Sequence, residues 1–205
     1  MNTAELLAKH AALWHAATHH PFLDGVRAGT LPEEAFNRWL EQDYRFVATA
    51  LKAQCELLAQ APRADQLLLA NGLVALAAEL DWFEGHLAAR GLRTDAQLLP
   101  ANRAYGDYLV VMARAPYPAA LMVAAIAERA YYEAWSTARP AAPAYGEFVD
   151  RWTNDAFRAY VADLARATDR ALAGAGPAEV AAAEDAFVWT ARYEAAFWQM
   201  TFGQG

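Results

Sequence analysis

The sequence predicts an all-α protein, a single-domain helical bundle spanning residues 1–205. Three observations lead there. Alanine and leucine, both good helix formers, dominate a chain that is 57% hydrophobic and 20% charged. Apolar residues recur at helical spacing in long runs separated by Pro and Gly. No run alternates apolar and polar residues between hairpin turns, and no internal repeat or long linker divides the chain. A chain of 205 residues suffices for one sizeable core.

The elements follow in order. Residues 3–19 read as a first helix with Leu6, Leu7, Leu13 and Trp14 on one stripe, broken by His20-Pro21. Phe22 to Val26 reads as a short helical turn ended by Gly29. Thr30 as N-cap, with Pro32 and acids behind it, starts a second helix that carries Asp43 to about Gln60. Ala61-Pro62 separates it from a third, about 63–89, which carries Glu79 and stops near Gly91. Leu99-Pro100 opens a fourth, about 101–114, with Tyr105 and Tyr108. Pro116 and Pro118 precede a fifth, about 118–138, which carries Glu128; Pro140 and Pro143 end it. Segments at about 144–153 and 154–173 follow around Trp152, the Gly174–Pro177 loop comes after them, and a last helix, about 177–201, carries Glu194. Short connections imply antiparallel neighbours.

Composition narrows the function. The formal net charge is −7 and no Lys/Arg cluster forms a phosphate-binding face, so no nucleic acid partner is expected. The single cysteine, Cys55, lies amid Leu51, Leu57 and Leu58 with no histidine near, which reads as a buried structural thiol. The most apolar stretch, Ala119–Ala127, is too short to span a bilayer, and no basic segment precedes an apolar run at the N-terminus. The expectation is a cytoplasmic protein with no membrane partner. No Gly-x-Ser-x-Gly, phosphate loop or Gly-x-Gly-x-x-Gly occurs. His19-His20-Pro21-Phe22 reads as a helix terminus whose histidines cap and pack.

The informative pattern is four carboxylates, each followed by aromatics three or four residues on: Asp43 (Phe46), Glu79 (Trp82, Phe83), Glu128 (Tyr131, Tyr132) and Glu194 (Phe197, Trp198). In a helix these share a face, so each acid lies on a stripe of ring surface that favours burial. The plain alternative for each is a solvated acid beside a core aromatic. Flanking residues point Glu128 and Glu194 inward; Leu76 and Trp82 leave Glu79 intermediate; Glu41 and Arg45 place Asp43 at a boundary. Inward acids suit two chemistries. A di-iron carboxylate site needs Glu-x-x-His on two helices, which this chain lacks. The other is a flat, nitrogen-rich ring, held by carboxylates at its N–H and amino groups and by aromatics on its faces. A desolvated carboxylate also handles protons near neutrality.

Longer motifs add a resemblance. His20-Pro-Phe-Leu-Asp-Gly, Gly29-Thr-Leu-Pro and Gln42-Asp43-Tyr44 resemble the opening of the TenA (thiaminase II) family, and Tyr193-Glu194-Ala-Ala-Phe197-Trp198-Gln-Met200 resembles its close. The position of the common branch's nucleophilic cysteine is occupied by Ala124, and that of a tyrosine one turn later by Glu128. The chain is instead similar to the cysteine-lacking TenA_E branch at Glu79-Leu-Asp-Trp82-Phe83-Glu84, Glu128-Arg-Ala-Tyr131 and Arg151-Trp152-Thr-Asn154-Asp155-x-Phe157. The resemblance implies a haem-oxygenase-like bundle and hydrolysis of 4-amino-5-aminomethyl-2-methylpyrimidine, or its N-formyl form, to the hydroxymethylpyrimidine in thiamin salvage. It assigns Asp43 and Glu194 to the aminopyrimidine and Phe46, Tyr105 and Trp152 to ring contacts. Tyr131 and Trp82, one turn after Glu128 and Glu79, complete the expected ring-binding set; Glu128 and Glu79 are the expected proton-handling acids. No cofactor and no metal are expected, and a homodimer or homotetramer is implied. The alternatives are a haem-oxygenase-like or PqqC-like oxidase on the same bundle, with His10 or His15 as axial ligand, and a non-catalytic thiamin- or pyrimidine-binding protein.

Overall fold

Helices take up nearly all of the computed structural model, which describes residues 1–203, and no strand occurs among them. The helices are α1 Thr3–Lys9, α2 Ala11–Thr18, α3 Pro21–Ala28, α4 Glu33–Gln60, α5 Arg63–Ala89, α6 Pro100–Met112, α7 Tyr117–Thr137, α8 Gly146–Thr153, α9 Asp155–Ala173 and α10 Pro177–Phe202. A 3-10 turn, Pro143–Tyr145, leads into α8. The expected order and most boundaries hold. The differences lie at the first helix, at the segment from Pro21 to Pro32 and at Cys55.

The expected first helix is two. It breaks at His10, whose Nε2 lies 2.8 Å from Glu184 on α10 and whose ring packs on Phe187. A tertiary contact thus sets the break. The short turn after Pro21 is a full helix, α3. His20 caps it by accepting from the Phe22 N–H at 3.1 Å, and Gly29 closes it with φ +70°, which a β-carbon disfavours. The Thr30 N–H closes α3 by donating to the Gly25 carbonyl, so Thr30 is not the cap of the next helix; Pro32 precedes α4 with no side-chain cap. Cys55 is exposed, not buried. It falls on the opposite side of α4 from Ala53 and Leu57, which face the core.

The long helices form the frame. α4 and α5 are antiparallel: Tyr44 reaches Glu84 at one end, and Gln54 reaches the Leu69 carbonyl near the other. α7 also opposes α4, with Tyr131 at Asp43 and Ala120 and Leu121 clustered with Leu57. α10 runs parallel to α7, from Phe187 beside Met122 and Ile126 to Trp198 stacked on Tyr131 at 5.8 Å. α6 runs parallel to α4, from Asn102 at Gln42 to the Ala113 carbonyl at Gln60. Near the N-terminus of α5, buried Asp65 accepts from Arg170 of α9 and Tyr117 of α7, tying three helices together. One end of the bundle is packed with Trp39, Trp135, Trp152 and Trp198, meeting mainly edge to face.

The longest apolar helix is α5, not the Ala119–Ala127 stretch expected to be the most apolar. By length and composition alone it is the one helix among the described residues long and apolar enough to cross a bilayer, and 22% of its most apolar window is buried. Leu67 and Val74 are 66% and 71% exposed.

Candidate functional site

Asp43 on α4, Glu79 on α5, Glu128 on α7 and Glu194 on α10 all line one internal cavity of about 90 Å³, room for several water molecules. Four helices meet there with their acids turned inward. Asp43 and Glu194 are buried, so Asp43 is not at a boundary; Glu79 and Glu128 keep partial accessibility. The latter two also line a surface cleft with Asn71, Arg151, Asn154 and Phe157, a route between cavity and solvent.

Three of the acids are held by donors. Tyr131 Oη donates to Asp43 and accepts from Trp39 Nε1 at 3.2 Å. Tyr105 Oη donates to Glu194 Oε1 at 2.6 Å. Trp152 Nε1 donates to Glu79 Oε1 at 2.9 Å. Each donor engages one carboxylate oxygen and leaves the other for a ligand. Glu128 receives no hydrogen bond from any donor among the described residues, so both its oxygens are open to the cavity.

Burial with like charges raises these acids together. Desolvation pushes Asp43 well above the usual carboxylate range, outweighing the Tyr131 hydrogen bond, and Glu79, Glu194 and Glu128 add repulsion. Glu128 is pushed up to about 8 by desolvation, then by Glu79 and Glu194. Glu194 rises to about 8 by desolvation, partly offset by Tyr105. Glu79 is raised by desolvation, while the Trp152 hydrogen bond and the Arg151 charge pull it down. Protons are therefore shared within the cluster near neutral pH.

Aromatics supply the walls. Phe46, Tyr131 and Trp152 line the cavity. Tyr105 sits behind Phe46 with ring centroids 4.7 Å apart and reaches the site through its hydroxyl on Glu194. Tyr108 donates instead to the Ala186 carbonyl. Trp82 does not line the cavity. It packs edge-on behind Trp152 at 5.3 Å, under the Arg151 guanidinium at 4.3 Å. Helix geometry explains this: at about 100° per residue, Leu76 and Trp82 lie about 60° to opposite sides of Glu79. Leu76 faces the cavity, so Trp82 turns from it. His10 is held by Glu184, and His15 stacks on His19 at 4.0 Å; neither lines the cavity where a haem would need an axial ligand. Among the described residues no group of three or more His, Cys, Asp or Glu side chains is arranged to hold a metal.

Two supporting features have no sequence motif. Buried Gln42, beside Asp43, donates to the Gln97 carbonyl and accepts from the Leu99 N–H and from Asn102, anchoring the loop before α6. Gln54 Nε2 donates to the Leu69 carbonyl and to Tyr160 Oη across Gly72, where a β-carbon would lie 2.1 Å from Gln54 Nε2 and 2.2 Å from Tyr160 Oη. Gly72→Ala is therefore expected to destabilise the protein by about 1–3 kcal/mol, as overpacking does. Denaturant unfolding measures this, and an unchanged midpoint would refute the close approach.

A sequence model of the TENA/THI-4/PQQC family matches residues 7–204. A soybean (Glycine max) protein named "Probable bifunctional TENA-E protein" is 28% identical, the match covering 98% of this chain and 93% of that one. An "Aminopyrimidine aminohydrolase" of Halalkalibacterium halodurans is 24% identical, covering 98% and 95%. Among solved structures, a TenA homologue from Pyrococcus furiosus superposes with TM-score 0.93 at 27% identity, covering 98% and 100%. A protein of Shewanella denitrificans with a heme oxygenase-like fold superposes with TM-score 0.77 at 12% identity, covering 98% and 92%, a likeness of fold alone. With its all-helical, haem-oxygenase-like bundle and a family match over nearly its whole length, this chain belongs to the TENA/THI-4/PQQC family.

Proposed function

We propose that the protein is a cysteine-independent aminopyrimidine hydrolase of thiamin salvage. It converts 4-amino-5-aminomethyl-2-methylpyrimidine, or its N-formyl form, to the hydroxymethylpyrimidine. The observation that carries this reading is the division of labour among the acids. Three are oriented by Tyr131, Tyr105 and Trp152, and Glu128 alone has no hydrogen-bond donor among the described residues. Ala124, one turn before Glu128, offers no nucleophile.

Asp43 and Glu194 bind the ring nitrogen and 4-amino group with their free oxygens, and Phe46, Tyr131 and Trp152 pack on the ring. At neutral pH Glu128 is mostly protonated, given its value of about 8. It donates that proton to the leaving amine. The C–N bond breaks with its electron pair on nitrogen, water's oxygen bonds the methylene carbon, and water's proton returns to Glu128. Glu79, at the cleft and close to Arg151, passes protons to solvent. On the N-formyl form a first hydrolysis adds water to the formyl carbon and breaks the formyl C–N bond, releasing formate and leaving the aminomethylpyrimidine for the step above. The wild-type test is ammonia release from the aminomethylpyrimidine, and formate followed by ammonia from its formyl derivative. Binding of both without either product would support a non-catalytic binder instead.

The reading includes a homo-oligomer, a homodimer or homotetramer, supported by the exposed apolar side of α5 at Leu67 and Val74. Light scattering on the purified protein is expected to give two or four times the 22.4 kDa chain mass. A monomer at micromolar concentration would remove this part.

A further inference from the structure

The cavity continues past the carboxylates. Its wall runs along α4 from Asp43 to Leu57 and along antiparallel α7 from Tyr131 to Ala120. At 1.5 Å per residue those walls are roughly 21 and 16 Å long, more than one pyrimidine ring occupies. The far part is lined by Ala50, Ala53, Leu57, Ala113, Ala120 and Val123, all small or apolar. One amide, Gln54, intervenes, and its donor is already engaged by the Leu69 carbonyl and Tyr160. A charge placed there would be desolvated with at most the neutral Gln54 carbonyl oxygen to meet it, whereas an apolar group displaces at most poorly bound water. The cavity holds about 90 Å³ along this length, so the annex is narrow. Ala124 lies between Glu128 and the annex on one stripe of α7, and its small side chain leaves the passage open.

We propose that the annex receives an unbranched, uncharged alkyl group on the amine that leaves. The substrate class is then N-alkylated aminomethylpyrimidines, with the ring at the carboxylates and the chain running past Ala124 toward Ala120. This rests on the hydrolase reading above and fixes its leaving-group specificity. The amine departs as R–NH2, its nitrogen taking the C–N electron pair and the Glu128 proton. Water supplies the hydroxyl and returns a proton to Glu128.

The test is calorimetric binding to the whole protein of the aminomethylpyrimidine and its N-methyl, N-propyl, N-butyl and N-tert-butyl derivatives, alongside their turnover. Each added linear methylene is expected to tighten binding about fourfold, the value for burying one CH2, while the tert-butyl compound gains nothing over methyl. Ala120→Leu and Ala53→Leu fill the annex. They are expected to weaken the N-butyl ligand at least tenfold and leave the unsubstituted amine within twofold, with thermal melts verifying the fold. A flat or falling series in the wild type overturns the proposal, and so does equal loss of all ligands in folded variants. The wild-type series decides even if neither variant folds. A rising series without product release sinks the hydrolase reading and leaves the annex supported.

Discussion

Glu128→Gln is expected to lower kcat for ammonia release by at least about 10², the low end of what a positioned general acid–base contributes. Glutamine keeps the size and hydrogen-bonding reach of the side chain but cannot give up and recover a proton. Because no donor among the described residues holds the Glu128 side chain, the substitution breaks no hydrogen bond seen there, and KM is expected to change little. Glu194→Gln is the contrast: it disturbs a carboxylate held at 2.6 Å by Tyr105, so KM is expected to move as well as kcat. The pH profile adds a sign. Glu128 donates its proton to the leaving amine and ionises at about 8, so wild-type kcat/KM falls above about pH 8, and the Gln variant lacks that limb. Activity that rises through pH 8 would make Glu128 the base in the first step. Activity that survives in Glu128→Gln would move the proton transfer to Glu79.

Thermal stability is expected to fall as pH rises from about 6.5 to 8. Glu128 and Glu194 ionise near 8 when folded and near 4.5, the ordinary value, when unfolded. Between those values the folded state binds more protons than the unfolded state, so stability drops with increasing pH. The protonated cluster's contribution is complete below about pH 4.5 and gone above about 8. A tenfold difference in proton affinity between the folded and unfolded states is about 1.4 kcal/mol. The combined loss is therefore on the order of a few kcal/mol after the coupling among the acids is allowed for. His20 acts in the opposite sense. Burial lowers it from 6.5, so its stabilising contribution is lost as pH falls, and the window above 6.5 isolates the carboxylates. Glu184, lowered by Lys9 and His10, matters only at more acidic pH. Glu128→Gln is expected to flatten the profile and raise the melting temperature at pH 8. A wild-type melting temperature that climbs between 6.5 and 8 would contradict a buried acid cluster. The site thus stores like-charge repulsion that the rest of the fold offsets, a common trade between stability and function.

Local chemistry along the chain suffices for the helices and for the choice of acids. Pro21, Pro100, Pro116 and Pro177 each sit at or beside a helix start, where a missing N–H costs nothing, and Gly29, Gly91 and Gly203 take the positive φ that follows helix ends. The acid–aromatic spacing likewise marks Asp43, Glu79, Glu128 and Glu194, because a 3.6-residue period puts an acid and the ring one turn on upon one face. How those faces meet depends on helices far apart in the chain. Periodicity specifies a face to within about 60°, too coarse to tell that Trp82 backs the site while Leu76 lines it. It does not reveal that Asp43 is buried, because the Tyr131 hydroxyl and the walls around it come from other helices. Nor does it reveal the break at His10, which Glu184 on α10 engages, or that Cys55 faces outward. The pinned Gln54 and the alanine-lined annex follow from the same cause. Both arise where α4, α5, α6, α7 and α9 come together, and no local pattern encodes that approach.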